Sequence, residues 1–145
     1  MAYFNTLLLA IDLSPASESL ADRVHEIVAG EVGALHVVHV LNKGIHDPNL
    51  FSSFPGDSYT QRMMDRVTLR LRELLQRAGL AVPTNRIHLL HGEPAFEIKK
   101  LAEELAADLV IVGSHSKEGD WLQLPGATTN CVIQGITSDV MAVKV

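Results

Sequence analysis

Three places in the sequence combine an apolar run with polar or small residues that could bind a ligand. They are Asp12-Leu13-Ser14 after the run 6–11, Val40-Leu41-Asn42 at the end of the run 34–41, and Gly113-Ser114-His115-Ser116 after the run 109–112. A carboxylate accepts hydrogen bonds from an adenine amine or a ribose hydroxyl, and a glycine loop before a helix presents amides to phosphate. These residue types could therefore contact the groups of a nucleotide. A local helix cap is the alternative role for Asp12.

No catalytic motif accompanies these residues. The sequence has neither the G-x4-G-K-[ST] phosphate loop nor the G-x-G-x-x-G dinucleotide turn. Cys131 falls in a predicted amphipathic helix, where a small core residue is the expected role. We therefore assign no catalytic residue, and His115 is the nearest candidate for a general base.

Seven histidines raise the question of a metal site. His39, His91 and His115 fall at predicted carboxyl ends of strands, but their spacing matches no metal-binding motif. His36 and His39 are three residues apart in a predicted strand, so we expect them on opposite faces of the sheet. We expect no metal and interpret the strand-end histidines as bonded to backbone or water.

Short apolar runs that suit strands alternate along the chain with segments of helical spacing. This order of elements predicts a parallel sheet with helices on both faces. The predicted strands lie within 6–11, 34–41, 86–90, 109–113 and 139–145. The first helix should begin at Ser14-Pro15 and end near Gly30 or Gly33. The remaining helices are a second one ending at Gly79, a third beginning at Glu93-Pro94, and a last one over Ala127–Ile136. In the α/β class, ligands bind beyond the carboxyl ends of the strands, where the strand order reverses.

The composition describes one domain spanning residues 1–145 in the cytoplasm. The chain is 47% apolar, and a single core typically needs about 100–200 residues. No window approaches the roughly 18 consecutive apolar residues of a membrane span. The lone Cys131 and an N-terminus without a positive region give no indication of secretion.

The formal net charge of −5 argues against a nucleic-acid partner. Arg62, Arg66 and Arg70 share one face of the predicted second helix, but no aromatic residues are interleaved, so we interpret them as a solvated face. The stretch Asn42–Asp57 has no clear period. Long loops of this kind are often functional.

The segment 113–128 resembles the signature loop of the universal stress protein family, G-x2-G-x9-G-[ST]. Further matches in the same order are Leu-Leu-Ala-Ile-Asp-Leu-Ser at 8–14, Leu-His-Val-Val-His-Val at 35–40, His-Gly-Glu-Pro at 91–94, Asp-Leu-Val-Ile-Val-Gly at 108–113 and Asp-Val-Met-Ala-Val-Lys-Val at 139–145. The resemblance implies a doubly wound, five-stranded sheet of order 3-2-1-4-5, an adenine nucleotide alpha hydrolase-like fold. It also implies a homodimer through Val140–Val145, an apolar strand that would otherwise be an unprotected edge.

The resemblance also implies a nucleotide site. Asp12 matches the carboxylate on the adenosine side, and Val40 the residue whose backbone contacts adenine. The candidate cofactor-binding residues are Ile11, Asp12, Val40, Val112, Gly113, His115, Ser116, Gly126, Ala127 and Thr128. Ser116 stands where the family has its second glycine, and Ala127 where it has a hydroxyl. We expect these two departures to weaken phosphate binding by about 10- to 1,000-fold.

The sequence thus predicts a cytoplasmic, homodimeric stress-response protein. Its expected ligand is ATP or another adenine nucleotide, with Mg²⁺ as a possible companion ion. Two alternatives stay open. One is a nucleotide-independent interaction module that uses the altered loop and Asn42–Asp57, and the other is a weak ATPase.

Overall fold

The apolar runs of the sequence form a parallel β-sheet. A computed structural model describes residues 4–13, 15–29, 31–41, 58–114 and 135–144. The strands are β1 (Leu7–Ala10), β2 (Leu35–Leu41), β3 (Ile87–His91), β4 (Leu109–Ser114) and β5 (Asp139–Lys144). They lie in the order β3-β2-β1-β4-β5, and each neighbouring pair is parallel. The predicted order 3-2-1-4-5 is therefore confirmed.

Successive residues of the central strand β1 face two different apolar cores. Leu7 and Leu9 contribute to a first core, and Leu8 and Ala10 contribute to a second core on the other face. All four side chains are at most 6% exposed. Because both faces of the sheet are covered, the strand has the continuous apolar sequence that is typical of parallel sheets.

Helices cover both faces, as predicted. They are α1 (Ser17–Val28), α2 (Ser58–Arg77) and α3 (Pro94–Leu105), with a short 3₁₀ turn at Thr84–Arg86. Leu20 of α1 and Leu71 of α2 pack into the first core, whereas Ile98 and Leu101 of α3 pack into the second. None of the helices in the described part of the chain is long and apolar enough to span a membrane.

The start of α1 differs from the prediction. Proline was expected at the first helical position, but Pro15 and Ala16 form a turn and the helix begins at Ser17. Ala16 is the N-cap residue and makes no side-chain capping bond. Leu13 has a left-handed backbone (φ 62°), which is not a helical conformation.

Most other boundaries agree with the predictions to within a residue or two. Helix α2 ends at Arg77, followed by Gly79 with a φ of 79°. Glu93 caps α3 by accepting a hydrogen bond from the backbone N–H of Phe96 at 2.8 Å. Strand β3 begins one residue later than predicted because Arg86 belongs to the 3₁₀ turn, where its guanidinium donates to the Val32 carbonyl at 2.9 Å.

The predicted last helix, 127–136, is wrong at its end. Gly135 lies in a turn with a φ of 78°, and Ile136 is not helical. Residues 127–134 of this prediction lie outside the described residues, as do Cys131, Val145 and the stretch Asn42–Asp57.

Candidate functional site

The carboxyl end of the sheet brings together five of the predicted site residues. The chain runs from β1 to β2 and β3 on one side, and β4 then lies against the other side of β1. The strand order therefore reverses between β1 and β4, which is where ligands bind in doubly wound sheets. The five residues are Ile11, Asp12, Val40, Val112 and Gly113.

The sheet register sets the relative heights of these five residues. Ala10 is level with Val112 of β4 and with Val38 of β2. One residue further along each strand, Ile11 is level with Gly113, and Asp12 is level with Val40 after one more step. Asp12 and Val40, the adenosine-side residues that the resemblance implied, thus lie at the same edge of the sheet.

Both polar backbone atoms of Ile11 make hydrogen bonds. Its N–H donates to the Val38 carbonyl at 3.0 Å, and its carbonyl oxygen lies 2.8 Å from Nδ1 of His39. Both Ile11 and His39 are buried, at 2% and 5% exposure. The chain that leads into Asp12 is therefore fixed by strand β2.

Asp12 is tied to the first residue of α1. The hydroxyl of Ser17 donates to Oδ1 of Asp12 at 3.2 Å. Asp12 is not the N-cap of α1, since that position is Ala16. A carboxylate has about four lone-pair positions, so this bond is compatible with further bonds from a ligand.

Leu13 is a feature of the site that the sequence did not reveal. Its φ of 62° places a branched apolar residue in the left-handed region, at a cost of about 1–2 kcal/mol. Backbone strain of this kind clusters at functional sites. Leucine gives no local signal for such a turn, because it is among the residues that avoid it.

The remaining predicted residues belong to the phosphate half of the site. His115, Ser116, Gly126, Ala127 and Thr128 lie outside the residues that the structure describes. Their assignment stays a prediction.

The histidines of β2 face opposite sides, as expected. His39 lies beside Ile11 at the carboxyl end, whereas His36 bonds to His88 of β3, with Nδ1 and Nε2 3.1 Å apart and the rings stacked. Burial lowers the pKa of both His36 and His88; the neighbouring His88 and Arg86 lower that of His36 further, while Glu104 acts in the opposite direction on His88. In the described ranges, no group of three or more potential ligands is placed to hold a metal ion.

The three predicted arginines of α2 lie on an exposed surface. Arg62, Arg66 and Arg70 are all exposed, in agreement with a solvated face. Arg70 also borders a cavity of about 560 Å³ that reaches Leu13 and Pro15. The opposite charges of Arg77 and Glu18, 2.8 Å apart, lie along the same cavity, so it does not present a uniform charge to a ligand.

The sheet order defines a class: the doubly wound α/β proteins, which bind ligands at the switch point of the sheet. The model of the Universal stress protein family matches residues 4–144. The chain belongs to this family.

Known relatives agree over nearly the whole length. Universal stress protein A homolog 1 of Coxiella burnetii is 34% identical, covering 97% of this chain and 96% of that protein. A solved universal stress protein in complex with cAMP superposes with a TM-score of 0.65 at 19% identity, covering 97% of each chain. The universal stress protein from Archaeoglobus fulgidus in complex with dAMP gives a TM-score of 0.61 at 18% identity, covering 99% and 100%. These structures confirm the fold.

Proposed function

We propose that this member of the universal stress protein family binds an adenine nucleotide, with ATP as the leading candidate, and acts by binding. The observation that carries the proposal is the arrangement of Ile11, Asp12, Val40 and Gly113 at the switch point of the sheet. Two structurally similar family members are described as complexes with cAMP and dAMP, which supports the adenine part of the ligand.

Asp12 is the residue proposed to bind the ribose. Its position two residues beyond Ala10 puts it at the ligand end of β1, and Ser17 restrains one of its carboxylate oxygens. Ribose hydroxyls are donors, and a carboxylate is an acceptor that makes hydrogen bonds worth about 1.5–3 kcal/mol. Mg²⁺ and the loop residues Ser116, Gly126, Ala127 and Thr128 complete the proposal on the phosphate side.

The test is calorimetric titration of the purified protein with ATP and Mg²⁺, preceded by mass spectrometry for nucleotide that co-purifies. We expect Asp12→Asn to weaken ATP binding by about 10- to 100-fold. Asp22→Asn is the matched control, because Asp22 is an exposed carboxylate on α1. No binding by the wild type at millimolar ATP would favour the nucleotide-independent interaction module, and release of phosphate would favour the weak ATPase.

We also propose a cytoplasmic homodimer that forms through β5. Strand β5 is an outermost strand of the sheet, and an exposed strand edge is a template for pairing with another chain. The lone cysteine of the sequence suits a reducing compartment.

Light scattering after gel filtration tests the dimer. Ala142 is exposed in β5, and Ala142→Lys places a charge on this strand, as edge strands that resist pairing do. We expect it to weaken dimerisation by at least about tenfold. Leu69→Lys, at an exposed position of α2, should leave the dimer unchanged. A monomeric wild type at high concentration would contradict the proposal.

A further inference from the structure

His39 is a buried histidine at the carboxyl end of the sheet to which no role has yet been given. Among the described residues, His39 and Ser17 are the buried polar side chains. Nδ1 of His39 lies 2.8 Å from the carbonyl oxygen of Ile11. Because a carbonyl can only accept a hydrogen bond, Nδ1 carries the proton and donates it.

The bond from His39 takes the position of a regular sheet bond. The N–H of Ile11 donates to the carbonyl of Val38, so the polar backbone atoms of Val38 face β1. Backbone groups of a strand alternate in direction, and those of Val40 therefore face β1 as well. A regular parallel ladder would continue with the Val40 N–H donating to the Ile11 carbonyl. The side chain of His39 donates to that carbonyl instead.

The other half of the ladder is interrupted by Leu13. In a regular parallel pair, the N–H of Leu13 would donate next to the carbonyl of Val40. Leu13 has a φ of 62°, which takes it out of the β conformation. The pairing between β1 and β2 accordingly ends at Ala10 and Val38, two residues before Val40.

We propose that His39 is a positioning residue of the nucleotide site: by donating to Ile11, it releases the backbone N–H of Val40 to bind the base. This inference rests on the proposed function. It adds the reason for adenine specificity, because the N–H and C=O of Val40 face the same side, as a donor and an acceptor. The pairing edge of adenine offers an acceptor nitrogen beside a donor amine, whereas guanine presents an acceptor O6 in place of that amine.

The test compares His39→Leu with His39→Asn. Leucine keeps an apolar body but has no donor, whereas the amide nitrogen of asparagine can replace Nδ1–H. We expect His39→Leu to bind ATP about 3- to 10-fold more weakly, with GTP binding unchanged, so that selectivity for ATP over GTP falls by the same factor. His39→Asn should restore most of it. His36→Leu, on the opposite face of the same strand, is the matched control and should keep the wild-type selectivity.

Amide hydrogen exchange measured by NMR tests the backbone directly. In the nucleotide-free wild type, the Val40 amide should exchange at least about tenfold faster than that of Val38, and His39→Leu should slow it as the regular bond to Ile11 forms. Thermal unfolding of each variant establishes that it is folded.

The outcomes separate the two proposals. A folded His39→Leu with unchanged ATP-to-GTP selectivity overturns the role of His39 and leaves the proposed function standing. Equal protection of Val38 and Val40 in the wild type also overturns it. A wild type that binds no adenine nucleotide overturns the proposed function and this inference with it.

Discussion

The two ends of the sheet use the same kind of residue for different purposes. At the amino end, Oδ2 of Asp108 accepts from the backbone N–H groups of Asn5 and Thr6 at 2.8 and 2.9 Å. At the carboxyl end, Asp12 accepts from the side chain of Ser17. One aspartate ties the entry of β1 to β4, and the other lies where β1 opens toward the candidate site.

The contrast extends to the other polar groups. At the amino end, the hydroxyl of Ser138 donates to the Ala107 carbonyl at 2.5 Å, and Arg86 donates to the carbonyls of Val32 and Gly33. Side chains there bind backbone groups at the ends of elements, where the regular backbone hydrogen bonding stops. At the carboxyl end, a side chain displaces a sheet bond. The side chains at the amino end stabilise the fold, whereas those at the carboxyl end are proposed to leave backbone groups available to a ligand.

The largest expected effect is on stability at the amino end. Asp108→Ala removes two hydrogen bonds to a carboxylate, and since Asn5 is exposed we expect a loss of about 1.5–3 kcal/mol in the free energy of unfolding. Urea denaturation measures it. Asp139→Ala, at an exposed neighbouring carboxylate, should change stability by less than about 0.5 kcal/mol. The folded Asp108→Ala variant should bind ATP with the affinity of the wild type. Weaker ATP binding by this variant would contradict the difference in role between the two ends of the sheet.

A matched pair of serines tests the same difference between the two ends of the sheet, with smaller expected effects. Ser17→Ala and Ser138→Ala each remove one hydroxyl donor, and we expect each to cost about 0.5–1.5 kcal/mol of stability. Only Ser17→Ala should also weaken ATP binding, by about threefold, because Asp12 loses its restraint. Denaturation and calorimetric titration of both variants measure the two effects. Equal ATP affinities in both variants would mean that Ser17 serves stability alone.

The smallest effect concerns pH and lies near the amino ends of β2 and β3, where His36 and His88 are second in their strands. The pKa values of His36 and His88 are lowered from 6.5 in the folded protein, chiefly by burial. As the pH falls through 6.5, the two histidines take up protons in the unfolded chain before they do so in the folded one. The free energy of unfolding is therefore highest above that pH and decreases as the pH is lowered through it. Both rings are only half-buried, which keeps the effect small.

Denaturation at several pH values tests this prediction. The double variant His36→Phe/His88→Phe keeps two stacked rings without titrating groups and should lose less stability between pH 7 and 5.5 than the wild type. His91→Asn, whose ring is exposed, is the control. A parallel pH dependence in wild type and double variant would show that other groups are responsible.

The sequence predicted the fold well, and five of its candidate site residues lie together at the carboxyl end of the sheet. Buried strands have continuous apolar runs, and Glu93-Pro94 is a local helix signal, so these features could be read directly. Ser14-Pro15 is also a local signal, but the helix begins at Ser17, after a left-handed Leu13. A local pattern gives no sign of the left-handed turn at Leu13, because leucine disfavours that conformation.

The role proposed for His39 escaped prediction because it depends on a distant contact. His39 and Ile11 are 28 positions apart, and nothing in the run 34–41 distinguishes a histidine that replaces a sheet bond from one that meets solvent. Asp12 and Val40 could be assigned because the family resemblance carried their roles. Ser116, Gly126, Ala127 and Thr128 remain predictions.

The central position of β1 has a consequence for synthesis of the chain. Asp108 lies 102 positions after Thr6, and β4 follows it directly, so β1 receives this second neighbour in the sheet only after β4 has been synthesised. The crevice between β1 and β4 is therefore absent from a growing chain until about residue 113 has left the ribosome. A nucleotide that binds there would stabilise only chains in which β4 has been made, and would favour these over chains that end before β4.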